Sequence, residues 1–326
     1  MRLPRGLVGT TVGPHVQEID ARWLMAYAAA LGETDEVYVD TLRPQGILAH
    51  PLFPVCYEWP LAVEMRANLP EEIALRSVHA THDLRLHRPP RAGEPLVTCA
   101  TVTRVEPRRS GALVLTRFET MDARGEPVST TDYGSIYLGV ECEAEGSVPP
   151  HLSSPPHLSS PPHPTLSPTG EEGSGSPLPA GGRVGVRGTE QPEWTAAVPV
   201  AATLAHVYTE CARIWNPIHT DRAIARRAGL PDIILHGTAT LALAASRVLA
   251  REGPAAAASV RRITGRFGAM VLMPSTLTVR GFPPVDTSEG RWLPFQALAA
   301  GGRPAVRDGT ICVSPSSSPP GGERAG

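Results

Sequence analysis

In DARWLMAYAAALGETD, from Asp20 to Asp35, the apolar residues recur with a helical period, which predicts an amphipathic helix. After the mixed stretch ILAHPLFPVCYEWPLAVEMRANL the period changes to two. HATHDLRLHRP, EPLVTCATVTRVEP, ALVLTRFETMDARGEP and TTDYGSIYLGV predict strands, separated by turn chemistry at Arg91-Ala92-Gly93 and Ala123-Arg124-Gly125. The same order then returns. LAHVYTECARIWN precedes DIILHGTATLALAASRVLA, a long apolar helix, and SVRRITGRFGAMV, STLTVRGFPP, RWLPFQALAAGG and PAVRDGTICV follow as strands.

The halves share local anchors as well as order. LRLHRPPRAGEPLVT parallels GRFGAMVLMPSTLTV, and ILAHP parallels IILHG. ALGETDEVYVD parallels ARIWNPIHTD, which sets Tyr38 where His219 lies and Asp40 where Asp221 lies. An internal duplication of one long helix with an antiparallel sheet accounts for this, an α+β fold. Between the halves the composition shifts to Pro, Ser and Gly, with the tandem repeat HLSSPPHLSSPP. Such text buries too little apolar surface to offset its ordering entropy. The expected division is 1–142 and 192–313 as folded units, 143–191 as a disordered joint and 314–326 as a disordered tail. His151, His157 and His163 recur every six residues in the joint, a spacing that low complexity explains better than a metal tract.

Of the 326 residues 41% are hydrophobic, enough for a sizeable core, and the net charge of -2 gives no reason to expect nucleic acid or a membrane surface as partner. All 30 basic residues are Arg, so lysine Schiff-base chemistry is excluded. Cys56, Cys99, Cys142, Cys211 and Cys312 are scattered and never form a C-x-x-C pair, against a disulfide framework or zinc site. The N-terminus has no apolar signal core and no run approaches a membrane span. A soluble, cytoplasmic protein is expected. His79, His82 and His87 share a predicted strand in which 79 and 82 would face opposite ways, so no metal site is expected there.

The richest stretch is RIWNPIHTDRAIARRAGLPDIILHG, from Arg213 to Gly237. From Asn216 on it resembles the MaoC-like, R-specific enoyl-CoA hydratase/dehydratase family. Tyr208, Asn216-Pro217-Ile218-His219, Asp221, Ala228-Gly229-Leu230 and Ile234-Leu235-His236-Gly237 match the family pattern. The resemblance implies a double hot-dog, two antiparallel sheets each wrapped round a helix, acting on acyl-CoA or acyl-ACP thioesters without a cofactor. It leaves a homodimer open. One departure stands out: the family's Ser-Gly-Asp is Ala212-Arg213-Ile214 here, so Ile214 occupies the place of the acid. The first half, with Tyr38 for the histidine, resembles the degenerate hot dog that holds the acyl chain.

Adding water to an enoyl thioester requires a base for the water, an acid for C2 and a donor to the thioester oxygen. His219 suits base or acid, since imidazole titrates near neutrality. Asn216 either fixes a water or the imidazole, or caps the following helix. The backbone N–H of Gly237 at a helix start can donate to the thioester carbonyl. His236 and Tyr208 are expected to be structural neighbours of the site. Glu210 and Asp221 are candidates for a second acid, against an exposed helix glutamate and a helix cap. Arg261, Arg262 and Arg266 either meet CoA phosphates or are exposed strand arginines. Two other functions stay open: a hot-dog thioesterase, and a non-catalytic acyl-thioester binding subunit, which Ile214 favours. Replacing residues 150–188 by a short Gly/Ser linker should leave the melting temperature nearly unchanged, since loop length costs little; a large loss would mean that the joint is packed.

Overall fold

The computed structural model describes residues 1–143, 191–253 and 255–314; the joint and tail expected from composition lie outside these, apart from their flanks Glu143, Gln191 and Ser314. The first half runs β1 (Thr11–Ile19), α1 (Ala21–Ala30), α2 (Glu36–Val39), α3 (Pro54–Ala67), α4 (Glu71–Ala74), β2 (Ser77–Leu86), β3 (Glu94–Arg108), β4 (Gly111–Asp122) and β5 (Pro127–Leu138). The second half runs β6 (Trp194–Val200), α5 (Leu204–Ala212), a 3-10 turn (Pro217–His219), α6 (Arg222–Arg227), α7 (Gly237–Glu252), β7 (Val260–Phe267), β8 (Ser275–Gly281), β9 (Val285–Thr287), β10 (Gly290–Leu298) and β11 (Pro304–Val313).

The strands form one 11-stranded sheet in the order β1-β3-β4-β5-β2-β7-β11-β10-β8-β6, with β9 on β10. The order is a mirror copy about the β2–β7 seam. In each half the strand that follows the long helix lies at the seam, and the strand at the start lies at the outer edge. The seam is antiparallel, from Thr81 opposite Arg266 to Arg85 opposite Arg262. Arg262 fastens it with a two-pronged ion pair to Asp83, at 2.7 and 2.6 Å. This is the double hot-dog that the family resemblance implies, built on the duplicated helix-and-sheet order.

The edge strands β1 and β6 lack a strand signature in the sequence, because Pro14 and Pro199 interrupt the weak apolar alternation of TVGPHVQEI and WTAAVPV; an outer edge is where a strand tolerates proline. The first helix is shorter than its pattern. Asp20 caps it by accepting from the Trp23 N–H at 2.7 Å, and it stops at Ala30, before Gly32 with φ +73°. α7 begins only at Gly237, since Ile234 is held in a bridge to Leu272.

The paralleled anchors superpose in kind. Asp35 accepts from the Val37 N–H at 3.0 Å and Asn216 from the Ile218 N–H at 3.4 Å, each capping the turn that carries Tyr38 or His219 three residues on. Tyr38 lies 5.9 Å from His50, as His219 lies against His236. One core cluster spans both halves, from Trp23, Tyr27 and Phe53 to Leu241, Ile263 and Phe295. Gly265 in β7 lets α7 sit close on the sheet: a Cβ there would meet Leu241 at 3.1 Å and Val306 at 3.2 Å. At the join of the halves, Phe53 packs edge-on against Trp23 and Tyr27 (ring centroids 5.0 and 5.6 Å), and Tyr27 packs against Tyr208 at 5.7 Å. Phe53→Ala should therefore cost about 3–5 kcal/mol in chemical denaturation; a loss below about 1 kcal/mol would mean that this aromatic joint does not hold the halves together.

Candidate active site

A cavity of about 400 Å³ lies between the halves. One wall comes from α3 and the sheet of the first half. The other comes from the Ile214–His219 turn, the start of α7 and the segment after β7. The lining is mostly apolar, and the titratable groups in it are Glu58, His79, Tyr133, His219 and His236.

His219 ends the 3-10 turn that Asn216 starts, with Pro217 at the first position, where its missing N–H is not needed. Its Nδ1 lies 2.8 Å from the Ile234 carbonyl. A carbonyl can only accept, so Nδ1 carries the proton and Nε2 keeps a bare lone pair. Burial pushes the imidazole down to about 4, with the Arg66 charge adding to the effect. At neutral pH His219 is thus a neutral base in a fixed tautomer. His236 stacks on it, ring centroids 3.7 Å apart at 26°, and is itself pinned by Thr209 Oγ1 at 3.2 Å. Burial and the neighbouring His219 hold His236 well below its ordinary range. The Tyr208 hydroxyl donates to Thr238 Oγ1 at 3.1 Å, fixing the first turn of α7.

Gly237, Thr238 and Thr240 bring that first turn to the cavity. The leading N–H groups of a helix have no partner within it and lie at the positive end of its dipole. A Cβ on Gly237 would meet the Phe267 ring at 3.3 Å, so the bare backbone is what fits here. Asn216 also lines the cavity, while its Oδ1 is engaged by the turn.

Ile214 is 3% exposed, faces the cavity and belongs to the shared core. It is turned inward by Arg213, which stands in the left-handed region (φ 58°, ψ 34°) where the family pattern has glycine. The Arg213 guanidinium lies 4.1 Å over the Trp23 ring and 3.8 Å from Asp20, contacts that offset the backbone cost. Because the chain leaves the helix at Arg213, a one-turn spacing does not bring Glu210 beside Ile214. Glu210 is exposed, accepts from Trp215 Nε1 at 3.5 Å and lies off the cavity. Asp221 caps α6, accepting from the Ala223 and Ile224 N–H groups at 2.8 and 3.0 Å. The three arginines also fall elsewhere. Arg262 is held by Asp83 in the seam, Arg261 donates to Ser314 and the His87 carbonyl, and Arg266 lies 3.9 Å from Asp308. Arg262 and Arg266 alternate with Ile263 and Gly265, which face the helices, and so lie on the outer side of the sheet, while Arg261 falls where the register against β11 shifts and is exposed.

Two features of the first half escaped the sequence pattern. The register of β2 shifts between His79 and Thr81, and this bulge puts His79 and His82 on one face, ring centroids 5.4 Å apart, where plain alternation would have opposed them. Among the described residues no group of three or more His, Cys, Asp or Glu is placed to hold a metal. His79 Nε2 meets the Thr81 carbonyl at 3.0 Å, and its ring stacks on Tyr133 at 3.8 Å. The second feature is Glu58 on α3, 3% exposed, which accepts from Thr131 Oγ1 at 2.6 Å. Burial pushes its carboxyl up to about 8. Its one sequence signal is a lone acid sharing an i, i+3, i+4, i+7 stripe with Val55, Trp59 and Ala62.

These groups give the fold a pH dependence. His50, His82 and His219 are held at about 3, 4 and 4, below the ordinary imidazole value, so the stability of their neutral forms is complete above about pH 6.5 and is lost as pH falls towards 4. Glu58 acts oppositely: its contribution is full at low pH and is lost as pH rises through about 8. Three imidazoles outweigh one carboxyl, so the unfolding free energy from denaturant titrations should fall between pH 6.5 and 4, less steeply in His82→Gln. A flat profile over that window would contradict neutral buried imidazoles.

Comparison with known proteins agrees with this architecture. Residues 188–282 match the model of the MaoC like domain, and residues 6–131 match that of the FAS1-like dehydratase domain region. No curated protein matches the sequence. A MaoC-like dehydratase from Phytophthora capsici superposes with TM-score 0.73 at 22% identity, over 96% of this chain and 98% of that one. The peroxisomal multifunctional enzyme type 2 of Drosophila melanogaster gives TM-score 0.66 at 20% identity, over 92% of this chain and 48% of that one. A Mycobacterium tuberculosis protein described as a double hotdog gives 0.56 at 16%, over 94% and 95%. No helix among the described residues is long and apolar enough to cross a membrane. The duplicated sheet, the Asn-Pro-Ile-His turn and both family matches agree: the chain has a double hot-dog fold, its second unit matching the MaoC like domain and its first the FAS1-like dehydratase domain region.

Proposed function

We propose that this chain adds water reversibly across the C2=C3 bond of a 2-enoyl thioester carried on CoA or on an acyl carrier protein. The observation that carries the reading is the state of His219: neutral, one nitrogen locked on the Ile234 carbonyl, in the wall of an apolar cavity that the start of α7 also reaches. Nε2 would take the proton of a water as its oxygen attacks C3. The leading N–H groups of α7, Gly237 first, would stabilise the negative charge that develops on the thioester oxygen. The apolar wall of the first half, including Val55, Trp59 and Phe118, would take the acyl chain and keep bulk water away.

Ile214 favours one rival reading, a subunit that binds acyl thioesters without turning them over. Crotonyl-CoA separates the two: hydration supports the enzyme, and binding without hydration supports the rival. In an active protein, His219→Ala should lower kcat by about a hundredfold or more with the melting temperature preserved. His219→Gln, which cannot titrate, should be about as damaging. Full activity in either variant would remove His219 from the chemistry.

A further inference from the structure

Hydration moves two protons, and the residues described so far supply a carrier for one. Ile214 has no proton to give, Glu210 lies off the cavity, and Asp221 is spent on capping α6. Among the described residues lining the cavity there is a single carboxyl, that of Glu58, and it comes from the other half of the molecule. Its surroundings are those of a carboxylic acid rather than a carboxylate. It is 3% exposed, its Oε1 meets one hydroxyl, Thr131, and it forms no ion pair among the described residues.

We propose that Glu58 is the general acid of this site, giving its proton to C2 while His219 takes one from the attacking water. The assignment rests on the hydratase reading above and completes it. In the step, the water oxygen bonds to C3 and one water proton passes to His219 Nε2. The C2=C3 electron pair moves towards the thioester, and C2 then takes the Glu58 proton. The product gains OH at C3 and H at C2, leaving an imidazolium and a carboxylate, and proton return through solvent restores both. In dehydration the same two groups exchange roles.

Burial keeps Glu58 protonated against the opposing hydrogen bond from Thr131, and the titratable groups that face it are themselves uncharged. Cys56 and Tyr57 flank it on α3, with both their protons held by burial. Tyr133 faces it from β5 and is likewise raised; His79 on β2 and His219 and His236 across the cavity are all pushed down and neutral. The nearest cation on its own helix, Arg66, lies 4.6 Å over the Trp59 ring instead. The acid and the base are thus driven apart in opposite directions, to about 8 and about 4, the pattern of a paired acid and base poised for work near neutrality.

The test is the pH dependence of crotonyl-CoA hydration by the full chain and by Glu58→Gln. Wild-type kcat/KM should hold from about pH 5 to 7 and decline above about 8 as Glu58 ionises. Glu58→Gln should lose about a hundredfold or more in kcat, with KM little changed, and its residual rate should show no decline near pH 8. Glu58→Asp, which keeps a proton to give, should recover part of the rate and retain an alkaline limb. Should the glutamine variant fail to fold, Glu58→Met, of similar length and without a proton, carries the same comparison. A folded variant with wild-type kcat and an intact alkaline limb would overturn the assignment. So would an effect confined to KM, which would make Glu58 a contact for the acyl chain. A wild-type protein inactive on enoyl thioesters would overturn the hydratase reading itself and Glu58's role with it, a result distinct from an active wild type with an indifferent variant.

Discussion

The arrangement depends on the antiparallel pairing of β2 with β7. It joins a five-stranded unit and a six-stranded one into one sheet, and by ending where it does it also creates the cavity. Pairing runs from Arg85 opposite Arg262 only as far as Thr81 opposite Arg266. One step beyond, the strands part, and His79 and Phe267, with ring centroids 4.4 Å apart, become cavity wall. The bulge at Ala80 gives β2 the bend that this parting needs. The Arg262–Asp83 pair inside the paired stretch thus secures the register on which the wall is built. It is partly exposed, and its value lies in geometry more than in energy.

Much of this could be read from the chain because it is encoded locally. The duplication shows as repeated order, and the caps at Asp20, Asp35 and Asn216 are residue types that accept backbone N–H groups wherever they occur. His219 stood out because a histidine on a Pro-containing turn before a helix has few other uses. What could not be read depends on distant partners. Nothing near Glu58 in sequence says that Thr131 lies above it or that the other half's imidazole shares its cavity. The bulge that gathers His79 and His82 is a single extra residue with no side-chain signature. The left-handed turn at Arg213, which removes Glu210 from the site, is carried by a residue that rarely adopts it and is held by Trp23 of the other half.

The two halves have kept complementary remnants of one design. Five residues before His219 stands Ile214, and five before Tyr38 stands Glu33, so the half with histidine on the turn has no acid there, and the half with an acid has tyrosine on the turn. Glu33 lies 3.8 Å from His50 Nε2 and is raised by burial, with Ser246 of α7 hydrogen-bonded to His50 at 3.2 Å. The first half has turned this corner into packing, with His50 fully buried and neutral. Its own helix α3 lines the cavity between the halves instead.

The mirror order of the strands carries a genetic consequence. In a symmetric pair of separate chains every substitution appears twice, so a change that shapes one site for an acyl chain also alters the other. Here both copies are written in one reading frame, and each can diverge alone. A tyrosine in one turn and a histidine in the other, an arginine where one corner wants glycine, a glutamate in one long helix and an alanine-rich run in its counterpart: such asymmetries are open to a tandem gene and closed to a homodimer. The tandem arrangement exchanges two identical workplaces for a single one with two different walls.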